Sequence, residues 1–139
     1  MRIPSDELND EEIKEIYKKY RKIAIIGMSR NPEKPAHYVP KYLIEKGYEI
    51  IPINPTADEI LGRKAYKSIS EVPEDTEILN VFRPSEEVPK IVEEALKKNF
   101  KVIWLQEGIF HESIYKAREK GVITVWNRCM MKEYKRLFE

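Results

Sequence analysis

Five short apolar runs are spaced along the chain with a helix-patterned stretch following all but the second, and this alternation leaves few folds open. The runs cover 22–26, 48–53, 78–82, 101–105 and 122–126. A strand that is apolar throughout needs cover on both faces, and helices placed between successive strands supply it on either side of a sheet. Strands joined through helices lie parallel, with right-handed crossovers. The pattern therefore predicts an α/β fold, a doubly wound parallel sheet of about five strands.

The intervening stretches carry helix signals of their own. Ile13, Ile16, Tyr17 and Tyr20 recur at helical spacing behind Asn9 or Asp10 as a cap, which predicts an extra N-terminal helix. A loop from Gly27 to Lys34 leads into a helix over about 36–46 that closes at Gly47. Pro40 fits a start near Ala36, because a proline early in a helix removes an N–H that has no intrahelical partner there. Asn54-Pro55 ends the second strand, and Ala65-Tyr66 makes a short extended piece beyond Gly62. Ser85 is the expected cap of a helix with the apolar stripe Val88, Ile91, Val92, Ala95 and Leu96, and Glu86 and Glu87 sit at the positive end of its dipole. A helix over 112–120 stops at Gly121, and a last helix presents Met131, Tyr134, Leu137 and Phe138. The expected division is a helical extension over 1–21 and one domain over 22–139.

A chain of 139 residues, 42% hydrophobic and 35% charged, can bury a single core without staples. Twenty-five basic residues against twenty-four acidic ones leave a net charge of +1, so no global attraction to nucleic acid or to an anionic membrane is expected. Any anion site must be local. The single Cys excludes an internal disulfide framework and a Cys-rich zinc site. With no signal peptide and no membrane-length apolar run, a cytoplasmic location is expected. The large share of Lys, Glu and Arg would suit a thermophile.

Ligands of parallel sheets bind outside the carboxyl ends of the strands. The residues that follow the five strands are Gly27-Met28-Ser29-Arg30, Asn54-Pro55-Thr56, Arg83-Pro84-Ser85, Gln106-Glu107-Gly108 and Asn127-Arg128-Cys129. All carry polar or turn-forming groups, and the fold would gather them on one rim. At the first place Gly27 permits close backbone approach, and Ser29 offers N–H and hydroxyl donors at the positive end of the next helix, a seat for a diphosphate. The same residues would equally serve a tight strand-to-helix turn capped by Ser29. The turn lacks the full G-x-G-x-x-G pattern. The second strand ends in Asn54-Pro55 where dinucleotide sites place an acid on the ribose diol, the nearest acid being Asp58. This weakens a nicotinamide dinucleotide and leaves room for an adenosine ligand phosphorylated on its ribose. Arg30, Lys34, Arg63 and Lys64 are the cations within reach of such phosphates, although a single surface cation is ordinarily just solvated.

These residues also carry a family resemblance. From Lys22 to about Tyr134 the chain resembles the small single-domain CoA-binding proteins, whose fold matches the N-terminal domain of the succinyl-CoA synthetase alpha subunit. Six ordered pieces carry it: 23–32, 47–55, 61–66, 81–85, 104–108 and 127–129. The resemblance implies a Rossmann-like domain that binds coenzyme A across the strand ends. By it, Gly27, Ser29 and Arg30 would hold the pyrophosphate, with Met28 in the same turn. Ile53, Asn54 and Pro55 would frame the adenosine, and Lys64 would approach the ribose phosphate. Phe82 and Arg83 would wall the cofactor, Gln106, Glu107, Gly108 and Asn127 would line the pantetheine arm, and Cys129 would stand at its thiol end.

The synthetase relies on a second domain with a phosphorylatable His and on a partner subunit, and neither is expected within these residues. No nucleophile, base and orienting acid can be assembled from local spacing, and no metal cluster is visible, so a binding protein is favoured over an enzyme. His111 lies near the rim, where it would serve as a phosphate carrier or base, or else as a helix cap; His37 lies in or near the first helix after the glycine turn. Cys129 is either a small buried apolar residue or, with Arg128 favouring its thiolate, the site of a mixed disulfide with CoA. Trp104, Trp126, Tyr42 and Phe100 read as core. The last helix, with Met130, Met131, Leu137 and Phe138, would support a homodimer or fold back onto the sheet. Three classes stay open: a stand-alone CoA-binding module for storage, sensing or thiol protection, a partner-dependent subunit of an acyl-CoA synthetase, and an NAD(P)-binding oxidoreductase.

Overall fold

Alternate residues of the central strands face opposite helical layers, and this sets the architecture. The computed structural model describes residues 2–139. The chain runs through α1 (Asp10–Lys19), β1 (Lys22–Ile26), α2 (Pro35–Glu45), β2 (Glu49–Ile53), β3 (Glu59–Ile60) and β4 (Arg63–Lys64). It continues through β5 (Ile78–Val81), α3 (Val88–Ala95), β6 (Val102–Leu105), α4 (Ile114–Glu119), β7 (Ile123–Val125) and α5 (Met130–Phe138). One parallel sheet has the order β2-β1-β5-β6-β7. Ile23, Ile25, Ile78, Val102 and Trp104 pack with residues of α1, α2 and α5, whereas Ala24, Leu79, Val81, Ile103 and Leu105 pack with α3 and α4. This is the predicted doubly wound sheet.

The chain leaves β1 toward one side and β5 toward the other, so their carboxyl ends flank the place where the winding reverses. Ligand crevices form at such a point. Proline is tolerated inside a strand only where no donor is missed, and Pro52 lies in β2, at the edge of the sheet.

α1 has the expected cap, a capping box of Asn9 and Glu12, and its Ile13, Ile16 and Tyr17 share a core with Val39, Leu43 and Trp104. The Tyr17 hydroxyl donates to the Met130 carbonyl at 2.7 Å, and the Tyr48 hydroxyl donates to the Tyr17 carbonyl at 2.8 Å. α5 folds back on this layer, where Tyr134 meets the rings of Tyr17 and Tyr42. Other local expectations are corrected. Ser85 does not cap α3. Residues Ser85–Glu87 form a 3-10 turn, α3 begins at Val88, and the Ser85 hydroxyl instead accepts from the Phe110 N–H at 3.1 Å. The region around Gly62 holds a small antiparallel hairpin, β3 with β4, where only a loop and a short extended piece were expected. Among the described residues no helix is long and apolar enough to cross a membrane.

α2 starts at Pro35, which leaves Pro40 deeper than the first turn. A residue-40 N–H would ordinarily engage the Ala36 carbonyl. Proline has none, and that carbonyl accepts from the Ser29 N–H at 3.1 Å. The proline thus ties the loop after β1 to the helix it feeds.

Candidate functional site

A cleft of about 1040 Å³ opens where β1 and β5 end. Gly27, Met28, Ser29 and Arg30 line one wall, Ile53, Asn54 and Pro55 a second, and Phe82 and Arg83 a third. Gly27 is required there for two reasons. Its φ is +88°, and a Cβ would sit 2.6 Å from the Phe82 carbonyl oxygen and 2.8 Å from Arg83 Cδ. The close approach that Gly27 permits is therefore to the end of β5. Met28 turns its side chain into the core and is 1% exposed, so it meets the cleft through its backbone. The Ser29 hydroxyl accepts from the Asn31 N–H at 3.0 Å, and the Ser29 carbonyl accepts from His37 Nδ1–H at 2.7 Å. With the Ser29 N–H held by Ala36, the Met28 and Arg30 N–H groups are the ones in this turn with no acceptor among the described residues. Sequence reasoning had assigned the donor role to Ser29.

Asn54 fixes the second wall. Its Nδ2 donates to the Met28 carbonyl at 2.9 Å, and its Oδ1 accepts from the Thr56 and Ala57 N–H groups at 2.8 and 3.0 Å. The side chain is thus the clamp between the first two loops. Its amide oxygen is already engaged, so it cannot replace the acid of a dinucleotide site. Lys64 does not reach the cleft. Its ammonium lies 4.9 Å from the centre of the Tyr66 ring, and Arg63 donates to the Leu61 carbonyl at 2.7 Å. The hairpin reverses the chain so that Tyr66 runs beside Ile53 and Lys67 and Ser68 return to the rim. Lys67, bonded to the Ala57 carbonyl at 2.7 Å and paired with Asp58 at 3.0 Å, is the lysine of this segment that lines the cleft. A two-residue strand pair has no periodicity by which to read that reversal.

A second cavity, about 490 Å³, shares Phe82 and Arg83 with the first and is lined further along by Gln106, Glu107 and Cys129. Gln106 is 5% exposed, and its Oε1 accepts from the Met130 N–H at 3.0 Å and from Asn80 Nδ2 at 3.2 Å. It holds the start of α5. Asn127 has φ of +56°, a conformation asparagine tolerates, and its Oδ1 accepts from the Gly108 N–H at 2.7 Å. Gly108 therefore braces the loop, and Asn127 lines a smaller third hollow on the far side of Cys129. Glu107 pairs with Lys132 at 2.8 Å. Cys129 is 7% exposed and borders both hollows.

Arg128 does not serve Cys129. Its Nε and Nη2 donate to the two oxygens of Asp6 at 2.9 and 2.8 Å, and its Nη1 donates to Glu133 at 2.7 Å. Burial by itself would raise the Asp6 pKa, but the Arg128 guanidinium and the Leu8 and Trp126 N–H groups outweigh it and hold the carboxyl below its usual range. His111 is likewise engaged. Its Nδ1 accepts from the Ser113 N–H at 3.0 Å, bracing the turn into α4, and it lines neither main cavity.

The large cleft is bordered by Arg30, Lys34, Lys67, Arg83 and Lys90. Glu86, Glu87 and Glu94 border it too, but Arg30, Lys34 and Lys90 have no ion pair among the described residues, so the balance of charge along the lining is basic. The volume of the large cleft with its side chamber suits a long ligand of nucleotide type. These features define an α/β domain with a cleft of nucleotide size at its strand reversal.

The family is narrower than that class. A family profile described as CoA binding domain matches residues 21–135, and the chain belongs to that family. It is 42% identical over 120 residues to the uncharacterized protein YneT of Bacillus subtilis, covering 86% of this chain and 89% of that one. A solved structure of a hypothetical protein from Pyrococcus horikoshii superposes with a TM-score of 0.93 at 44% identity, covering 100% of this chain and 99% of that one. The alpha subunit of ADP-forming acetate–CoA ligase I from Pyrococcus furiosus is 38% identical over 98 residues, 66% of this chain. That match spans 21% of the ligase subunit.

Proposed function

We propose that this chain is a non-catalytic coenzyme A-binding protein that holds CoA or its acyl forms across the C-terminal ends of the parallel strands. The observation that carries this reading is the two-chambered cleft, about 1040 and 490 Å³, with Phe82 and Arg83 common to both chambers. The diphosphate takes the turn of Gly27, Met28, Ser29 and Arg30, where two N–H groups and the Arg30 guanidinium are available. The adenosine lies beside Ile53, Asn54 and Pro55, with Lys67 in place of Lys64 near the ribose phosphate. The pantetheine arm crosses Phe82 and Arg83 toward Gln106, Glu107 and Cys129, and Gly108 and Asn127 support that end.

The family membership supports the ligand, and the engaged Asn54 amide argues against a nicotinamide dinucleotide. Both histidines hold structural hydrogen bonds, which favours binding over catalysis. Titration calorimetry of desalted protein tests the reading: CoA gives a saturable one-to-one isotherm and NADH gives none. The reverse result ends it.

The likeness to a ligase alpha subunit favours one further reading, a role as the CoA-holding member of a synthetase-type assembly. In that case the chain co-purifies with a larger nucleotide-binding chain from its own cells.

A further inference from the structure

Arg83 faces both chambers, and its guanidinium already holds a partner. Its Nε donates to Glu87 Oε1 at 3.0 Å and its Nη2 to Glu87 Oε2 at 2.7 Å, a two-pronged clamp. Glu87 also lines the large cleft. Both side chains are close to half exposed, 45% and 43%, so burial does not force them together, and a pair of this kind adds little to folding. Arg83 Cδ is packed against Gly27, 2.8 Å from where a Cβ would stand. The stem is therefore fixed beside the glycine turn, and the half-exposed head beyond Cδ is held by Glu87.

A guanidinium presents the same fork to a carboxylate and to a phosphate, and the phosphate carries the greater charge. We propose that Glu87 occupies Arg83 as an intramolecular stand-in for ligand phosphate, and that CoA binding exchanges the carboxylate for a phosphate group. The proposal rests on the CoA reading above and adds to it a residue that sets affinity without touching the ligand. Glu87 faces solvent when released, so the exchange strands no buried charge. A ligand without a phosphate near the glycine turn cannot displace Glu87, and the clamp then favours phosphorylated forms of the ligand.

The test is CoA titration of the full chain and of Glu87→Gln, Glu87→Asp, Arg83→Met and the Glu87→Gln, Arg83→Met double variant. Glu87→Gln is expected to tighten binding about threefold to fivefold, the scale of a half-exposed charge pair. Glu87→Asp, which keeps the charge but shortens the reach, is expected to tighten it as well. Arg83→Met weakens binding about tenfold, the scale of a charge-assisted hydrogen bond to phosphate. In the double variant the gain from Glu87→Gln disappears.

Glu87 variants that bind CoA as the parent does, or more weakly, overturn the proposal and leave the CoA reading intact. A gain that persists without Arg83, or that Glu86→Gln reproduces, marks a simple charge effect and also overturns it. A parent chain that gives no CoA isotherm removes the CoA reading, and this proposal with it.

Discussion

Gly27 and Asp6 show how much a single side chain decides here. Adding a methyl group at Gly27 imposes a left-handed conformation on a residue with a Cβ and drives that atom toward the Phe82 carbonyl. Gly27→Ala is expected to cost about 2–4 kcal/mol, read as a lower urea midpoint, and to abolish CoA binding. Asp6 binds Arg128 with both oxygens and is 3% exposed. Asp6→Asn leaves Arg128 with Glu133 as its acidic partner beside the Leu8 carbonyl and is expected to cost about 2–3 kcal/mol at neutral pH. The folded Asp6 titrates below its unfolded value of about 3.9, so its contribution is present above that pH and lost as pH falls through the lower folded value. Urea midpoints of parent and variant should differ at pH 7 and converge as the pH falls below the unfolded value. An undiminished gap in acid contradicts the assignment.

At the scale of elements, the five strands and the helices between them follow from periodicity, with boundaries shifted by a residue or two. The departures at α3 and α2 come from groups engaged by segments outside the helix, a side chain in one case and a backbone carbonyl in the other. Ser85 has the chemistry of a cap, yet its hydroxyl holds the Phe110 N–H, tying the start of α3 to the loop before α4. Ser85→Ala is expected to cost about 1 kcal/mol. Hydrogen exchange should then quicken at Phe110, with the first turn of α3 unaffected; fraying of α3 instead would restore the capping role. Pro40 reads as a helix irregularity in sequence, and only the fold supplies Ser29 as the donor to the carbonyl it leaves open.

For the whole molecule, the site is the product of assembly. CoA at a hundredfold excess over its dissociation constant stabilises the folded state by about 2.7 kcal/mol, which for a chain of this length raises Tm by roughly 9 °C. NAD under the same conditions should leave Tm unchanged. CoA should also shield Cys129, at the inner end of the second chamber, from alkylation in a mass-resolved time course. Equal labelling with and without CoA contradicts the assignment of that chamber to the thiol end.

The residues by themselves determined the parallel sheet, the rim of turn-forming groups at its carboxyl ends and the family, because strand alternation, glycine turns and ordered motifs are local properties of a chain. The partner of each group was decided only by the tertiary structure. Arg128 was taken by Asp6, Gln106 by the start of α5, and Asn54 by the two loops it joins, while Lys67 took the rim position expected of Lys64. Hydrogen bonds and ion pairs depend on distances of a few ångströms between residues far apart in sequence, and no local pattern encodes those distances.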